Sequence, residues 1–377
     1  MSKPNVRTGI GRTLGAAAGP LAALLVAFGF AAVVIAVSGE NPFVSFAAMF
    51  AGALGSGSAV AETLVKAIPL AISGLAVALG LRAGLFNIGV EGQLLVGALC
   101  AGWIGFAVRL PAVIHLPLCM LAGIAGGAVW GFLPGLLKAK RGVHEVITTI
   151  MLNYIAFYLT HYLVMNPLKD RSTMAPQTPE IHSTASLGYV VESGGLHWGI
   201  LIAAMCVIGF AFLINRTVAG YELKTVGRAP DAARAAGISV SRTIILAMIL
   251  SGGLAGLAGS VEVLGVHHKF YDQFSPGYGF DSIAVALLGG NTALGTALAA
   301  LLFGALRNGA VNMQLAANTP KEIVTLIQAI VIIFAGARFL RAPSTTLLRR
   351  GFGGQEHPAP PSFAEASEGK STEHQAP

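Results

Sequence analysis

Apolar residues in this chain gather into long blocks separated by short polar stretches. A helix rises about 1.5 Å per residue, so crossing a hydrocarbon core of about 30 Å takes about 20 mostly apolar residues. Nine runs meet or approach that length: 14–37, 63–81, 93–108, 112–137, 145–165, 197–215, 243–264, 281–306 and 322–340. The run 281–306 contains Gly289-Gly290-Asn291, a strong turn signal, which predicts two shorter helices there and about ten crossings in all. The expected fold class is an all-α polytopic membrane helix bundle.

Composition explains why the blocks cannot be a soluble core. Of 377 residues, 54% are hydrophobic and 11% are charged, whereas a soluble domain carries roughly 25% charged residues. Surface-to-volume scaling leaves a soluble chain no way to hide that much apolar area, so lipid must cover it. The 48 glycines agree, since Gly is commoner in membrane helices than in soluble ones. The first run is longer than a signal-peptide core and ends in Gly-Glu-Asn-Pro without a clear small-residue cleavage site, so it reads as a retained helix.

Basic residues set the orientation. Lys3, Arg7 and Arg12, then Arg82, then Lys138, Lys140 and Arg141, then Arg216 to Arg242, then Arg338 to Arg350 fall on one side if crossings alternate. That side is expected to be cytoplasmic, with both termini on it. Both termini inside requires an even number of crossings, which favours the split at Gly289–Asn291. The resulting organisation is a cytoplasmic segment 1–13, a transmembrane domain 14–340 and a cytoplasmic tail 341–377. The tail, rich in Pro, Ser, Glu and Ala, is expected to be disordered. Within the transmembrane domain, the inner loop is 216–242 and the external loop is 166–196. The external loop reads equally as a connector or as a lid or docking surface.

Several function classes fall away on composition and motif. The net charge of +7 is spread between apolar runs rather than gathered on one polar module, which excludes nucleic acid as the partner. Cys100, Cys119 and Cys206 lie inside apolar stretches with no metal-binding or disulfide spacing. His144-Glu145-Val146-Ile147-Thr148 lacks the second histidine of a zinc-protease helix. Gly369-Lys370-Ser371 ends like a phosphate loop, but Ala364 stands where the leading glycine belongs and no strand precedes it. No catalytic residue, no metal site, no cofactor of its own and no ATP-hydrolysing site are expected in this chain.

What remains points to packing, coupling and passage. Gly123, Gly127, Gly131 and Gly135 recur every four residues on one helix face, where they let a neighbouring backbone approach. In the inner loop, Ala229 to Gly237 reads as a complete short helix: Pro230 suits the first turn, Asp231 complements the positive end of the dipole, and Gly237 ends it. Two turns are not stable alone in water, so a cytoplasmic partner surface involving Pro230, Asp231, Arg234 and Gly237 is expected. Arg82 to Gln93 packs three glycines with Asn87, Glu91 and Gln93 into a short irregular stretch. Irregular backbone at membrane depth is tolerated where protein buries it or where it lines a watery cavity. With Asn153 and Tyr154, these residues are the candidate translocation pathway; Glu262, Asp281, Asn312 and Gln328 are further polar residues near the spans.

Four segments in order, Arg82–Gln93 ("RAGLFNIGVEGQ"), His144–Tyr154 ("HEVITTIMLNY"), Gly227–Ile238 ("GRAPDAARAAGI") and Gly277–Thr296 ("GYGFDSIAVALLGGNTALGT"), resemble permease subunits of bacterial ATP-binding-cassette (ABC) importers. The class is the branched-chain amino acid/ribose type, nearest its simple-sugar and nucleoside branch, and the resemblance covers roughly residues 15–340. It implies a multi-pass protein of the bacterial inner membrane, surrounded by lipid and paired with a second, often non-identical permease. An external substrate-binding lipoprotein would deliver the solute. The helix at Pro230–Ala236 would dock on a separate ABC ATPase subunit, which alone uses ATP. Low charge in the spans suits a nucleoside or simple sugar. The competing expectation, an ion-gradient-driven secondary transporter, requires buried ionisable pairs at the bilayer midplane, and few such residues are evident.

Overall fold

A computed structural model describes residues 24–320 and 322–340, and the described residues up to Gly336 form one compact unit. The segment 1–13, the first part of the opening run at 14–23 and the tail 341–377 lie outside the described residues. The protein is a helix bundle, with α1 at Leu24–Val37, α2 at Pro42–Leu54, α3 at Gly57–Arg82, α4 at Val90–Ala107, α5 at Ala112–Arg141 and α6 at Glu145–Met165. After the loop 166–196 come α7 at Gly199–Arg216, α8 at Val218–Arg228, α9 at Pro230–Ala235 and α10 at Val240–Glu262. The last three are α11 at Tyr278–Leu288, α12 at Ala293–Ala317 and α13 at Glu322–Leu340.

Among the described residues, seven of these helices are long and apolar enough to cross a membrane: α3 to α7, α10 with its extension to His267, and α12. The expected ten is not reached: of those runs, α1 (as described) and α11 are shorter apolar helices, and α13, on the run 322–340, is not among the seven. The run 281–306 is broken where expected. Gly290 (φ +62°) and Asn291 (φ +55°) turn the chain, and the Thr292 hydroxyl accepts from the Gly295 N–H to start α12. Two helices were not expected. In α2, Asn41 caps the helix and Pro42 occupies its first turn, but its 13 apolar residues are too few to read as a span. In α8, Thr217 caps Gly220 at the head of a segment too polar to register as a hydrophobic run.

The bundle is built around α3. Every residue of α3 from Ala67 to Gly80 is buried, as expected of a helix apolar on all sides, and α7, α10, α11 and α12 pack around it. The exterior is the reverse: α5 and α7 expose Val113, Ile114, Leu121, Leu201, Met205 and Ile208. A contiguous apolar coat of that kind belongs against lipid or another subunit.

The four glycines of α5 face α10. A methyl group on Gly123 would overlap Ser260 Oγ, one on Gly127 the Gly252 carbonyl, and one on Gly131 the Met248 carbonyl; at Gly135 it would lie 2.8 Å from Met248 Cβ. Gly252 and Gly256 answer from α10, where added methyls would strike the Gly127 and Gly123 carbonyls. Backbone thus meets backbone along this contact.

The loop 166–196 is folded rather than slack. The chain pairs Tyr189–Val191 with Leu196–His197 as a two-stranded antiparallel ribbon, β1 and β2. Backbone bonds from Thr178 to Phe270, Ile181 to His268 and Leu187 to Leu264 fasten it to the segment after α10. His197 is buried beneath it and accepts from the Gly199 N–H at 3.1 Å; burial holds the imidazole neutral, pushing its pKa down to about 4.

Candidate functional site

The polar stretch between α3 and α4 is held by a closed set of hydrogen bonds. Asn87 Nδ2 donates to Gln93 Oε1 and to Ser251 Oγ, each at 2.9 Å, and Asn87 Oδ1 accepts from the Gly89 N–H at 3.0 Å. Ser251 in turn donates to the Ala76 carbonyl at 2.7 Å, tying the loop to α3 and α10. From α6, Asn153 accepts from the Gly92 N–H and donates to the Ile88 carbonyl, both at 2.9 Å. Asn87, Gln93 and Asn153 are all buried, and their polar groups are directed at each other and at backbone. They act as braces.

What they brace is Glu91. It is 1% exposed, sits in the first turn of α4, and accepts from the Gly279 N–H at the head of α11 at 2.6 Å. Gly277 (φ +89°) reverses the chain into that helix, and a methyl group on Gly279 would strike the Glu91 backbone. The carboxylate therefore lies at two helix N-termini, where unpaired N–H groups and the macrodipoles favour negative charge.

Glu91 lines a cleft of about 570 Å³, together with Tyr154, Phe157, Tyr158 and Phe280. Such a volume suits a small-molecule site. Tyr154 and Tyr158 project one helical turn apart from α6 and are exposed. At the mouth, His161 Nδ1 lies 2.9 Å from Asp272 Oδ2. Of the five residues expected on the pathway, Glu91 and Tyr154 reach this cleft, whereas Asn87, Gln93 and Asn153 stand behind it. Tyr158, His161, Asp272 and Phe280 were not singled out as pathway residues. The four-residue spacing of Tyr154, Tyr158 and Tyr162 was the available signal for one wall, but nothing local joins it to Phe280.

The residues of the loop 216–242 form a separate feature. α9 ends in a double hydrogen bond, Ile238 N–H to the Ala233 carbonyl and Gly237 N–H to the Arg234 carbonyl, with Gly237 at φ +81°. This left-handed glycine closure ends the helix one residue earlier than Ala236. Asp231 and Arg234 pair with each other at 2.9 Å and face solvent, while Ala233 is buried. The preceding helix, α8, runs into the polar stretch itself. Gly227 packs against the Arg82 carbonyl and the Ala83 and Gly84 backbone, and Arg82 Nε donates to the Asn291 carbonyl at 2.9 Å. α8 thus packs on the start of the stretch that leads to Glu91.

Residues 59–336 match the family model described as branched-chain amino acid transport system / permease component. The chain belongs to this permease family. It is 44% identical over 85% of its length to the guanosine ABC transporter permease protein NupP of Bacillus subtilis, covering 93% of that protein. It is 38% identical over 85% of its length to the nucleoside ABC transporter permease protein NupB of Lactococcus lactis, covering 91%. Likewise, it is 38% identical over 84% of its length to the glucose ABC transporter permease protein TsgB13 of Haloferax volcanii, covering 86%. The permease is therefore a multi-pass membrane subunit of an ABC transporter of the nucleoside and sugar class, and the ion-gradient alternative is set aside.

Proposed function

We propose that the permease carries a nucleoside across the bacterial inner membrane, paired with a second, non-identical permease subunit. An external binding lipoprotein delivers the solute, and a separate ABC ATPase, gripped by α9, supplies the energy. The observation that carries the nucleoside reading is Glu91, placed at the head of α11 in a cleft walled by Tyr154, Phe157, Tyr158 and Phe280. Aromatic faces accept a planar base by stacking, and a carboxylate accepts from ribose hydroxyls by charge-assisted hydrogen bonds. The guanosine and nucleoside permeases among the relatives support the same reading, as does a further guanosine permease protein of Bacillus subtilis, NupQ, at 27% identity, which supports a non-identical pair.

In this reading, ATP-driven closure of the ATPases moves α9, and α8 transmits the motion through the Gly227–Gly84 contact to the stretch that carries Glu91. A simple sugar, as the glucose permease suggests, is the second reading. Uptake by the assembled importer in vesicles separates the two: excess unlabelled guanosine is expected to abolish labelled guanosine uptake, and excess glucose to leave it unchanged. Glu91→Leu is expected to lower guanosine uptake about tenfold or more, the scale of a lost hydrogen bond to a charged group. Uptake of labelled glucose with no uptake of labelled guanosine would overturn the nucleoside reading.

A further inference from the structure

The segment from Ser275 to Tyr278 has a second side. Ser275 and Gly277 line the Glu91 cleft, whereas Pro276 and Tyr278 line a neighbouring cavity of about 390 Å³ together with Lys66, Arg307 and Gln328. This second cavity offers hydrogen-bond donors. Among the described residues Lys66 Nζ gives one bond, to Asn308 Oδ1 at 2.7 Å, which leaves two ammonium N–H groups over. Arg307 donates through Nε and Nη2 to Asp281 and through Nη2 to the Pro276 carbonyl, so among the described residues Nη1 has no acceptor. Its guanidinium lies 4.8 Å above the Tyr278 ring, which holds it in place. Gln328 is 6% exposed, and among the described residues its Nε2 has no partner; an unmet buried donor of that kind costs stability unless something fills the role.

Charge chooses between ligand classes. The two cations are matched by Asp281, which is bonded to Arg307, and by Glu322 at the cavity wall. A site with balanced charge and surplus donors suits a neutral acceptor rather than an anion. We infer that Lys66, Arg307 and Gln328 form a second solute station that takes a carbonyl oxygen, so that the permease itself favours nucleosides with a keto base over those with an amino group in its place. This inference rests on the nucleoside reading above.

Inosine and adenosine test it, because at position 6 of the purine one presents a carbonyl oxygen and the other an amino group. The complete importer is reconstituted in vesicles with one unchanged binding protein, and initial uptake of the two nucleosides is compared for the wild type, Lys66→Met, Gln328→Leu and the near-isosteric Gln328→Glu. A site built to donate to an oxygen discriminates strongly against a group that cannot accept. The inosine-to-adenosine ratio is therefore expected to fall at least about fivefold in Gln328→Leu and further in Gln328→Glu, with adenosine uptake serving as the assembly control. A ratio within about twofold of wild type in all three variants, or equal loss of both solutes in all three, would overturn the inference alone. A wild-type importer that takes up glucose and neither nucleoside would overturn the nucleoside reading and this inference with it.

Discussion

Membranes expressing the Gly127→Leu variant are expected to contain no correctly folded permease. The first added carbon would overlap the Gly252 carbonyl and lie 2.8 Å from the Gly256 nitrogen and Cα, all backbone atoms of a helix that cannot rotate away as a side chain can. Overpacking a core costs about 1–3 kcal/mol when side chains can adjust. Here the two helices must separate, which opens a contact several turns long in a protein whose total stability is of order 10 kcal/mol. Gly209 on α7 provides the contrast, since an added carbon there meets nothing within 4 Å. Gly209→Leu is therefore expected to express and run as a single species on size-exclusion chromatography in detergent, whereas Gly127→Leu is expected to be absent or aggregated. Equal behaviour of the two variants would contradict the close-packed α5–α10 contact.

The second large effect is expected where nothing is buried. Ala236 and Gly237 are exposed, and a side chain at Gly237 meets open space, so the Ala236→Asp, Gly237→Leu double variant gives up little packing. It does force a bulky residue into a left-handed conformation, costing about 1–2 kcal/mol in α9 alone, and it places a new charge on the surface proposed to dock the ATPase. The double variant is expected to reach the membrane at wild-type levels while solute uptake falls below about a tenth, the scale of losing an interface hot spot. ATP hydrolysis by the assembled complex is expected to lose its response to solute-loaded binding protein. Wild-type uptake would remove α9 from the coupling role.

These two sites were legible in the sequence because their signals are local. A glycine every four residues defines a helix face without knowledge of its partner, and a Pro–Asp start with a Gly stop defines a short helix unaided. Gly289-Gly290-Asn291 marked a break for the same reason. The failures have equally physical causes. α2 carried the signals of a helix start in Asn41-Pro42, but a search tuned to the thickness of a bilayer passes over 13 residues. α8 alternates Tyr221, Glu222 and Lys224 with its buried Leu223 and Val226, so its single apolar face drops below a run-length criterion. The cleft was the least legible feature, because it depends on distant pairs. Glu91 meets Gly279 across 188 positions, and Asn153 meets Gly92 across 61. The polar residue types were therefore recognisable, but which of them line the cleft and which brace the loop was not.

The division between Glu91 and its braces also bears on mechanism. Asn87, Gln93 and Asn153 fix the stretch that carries the carboxylate, and Gly84 and Gly227 join the same stretch to α8. In the proposed mechanism, a displacement of α9 would reach Glu91 through α8 and this braced stretch.

Reconstitution with and without the ATPase tests the central claim most directly. The two permease subunits are placed in vesicles with the binding protein and labelled guanosine, and accumulation is measured after ATP is supplied with the ATPase present or omitted. Accumulation against a gradient is expected only when ATPase and ATP are both present. Uphill accumulation by the permeases alone, driven by an imposed ion gradient, would contradict the account.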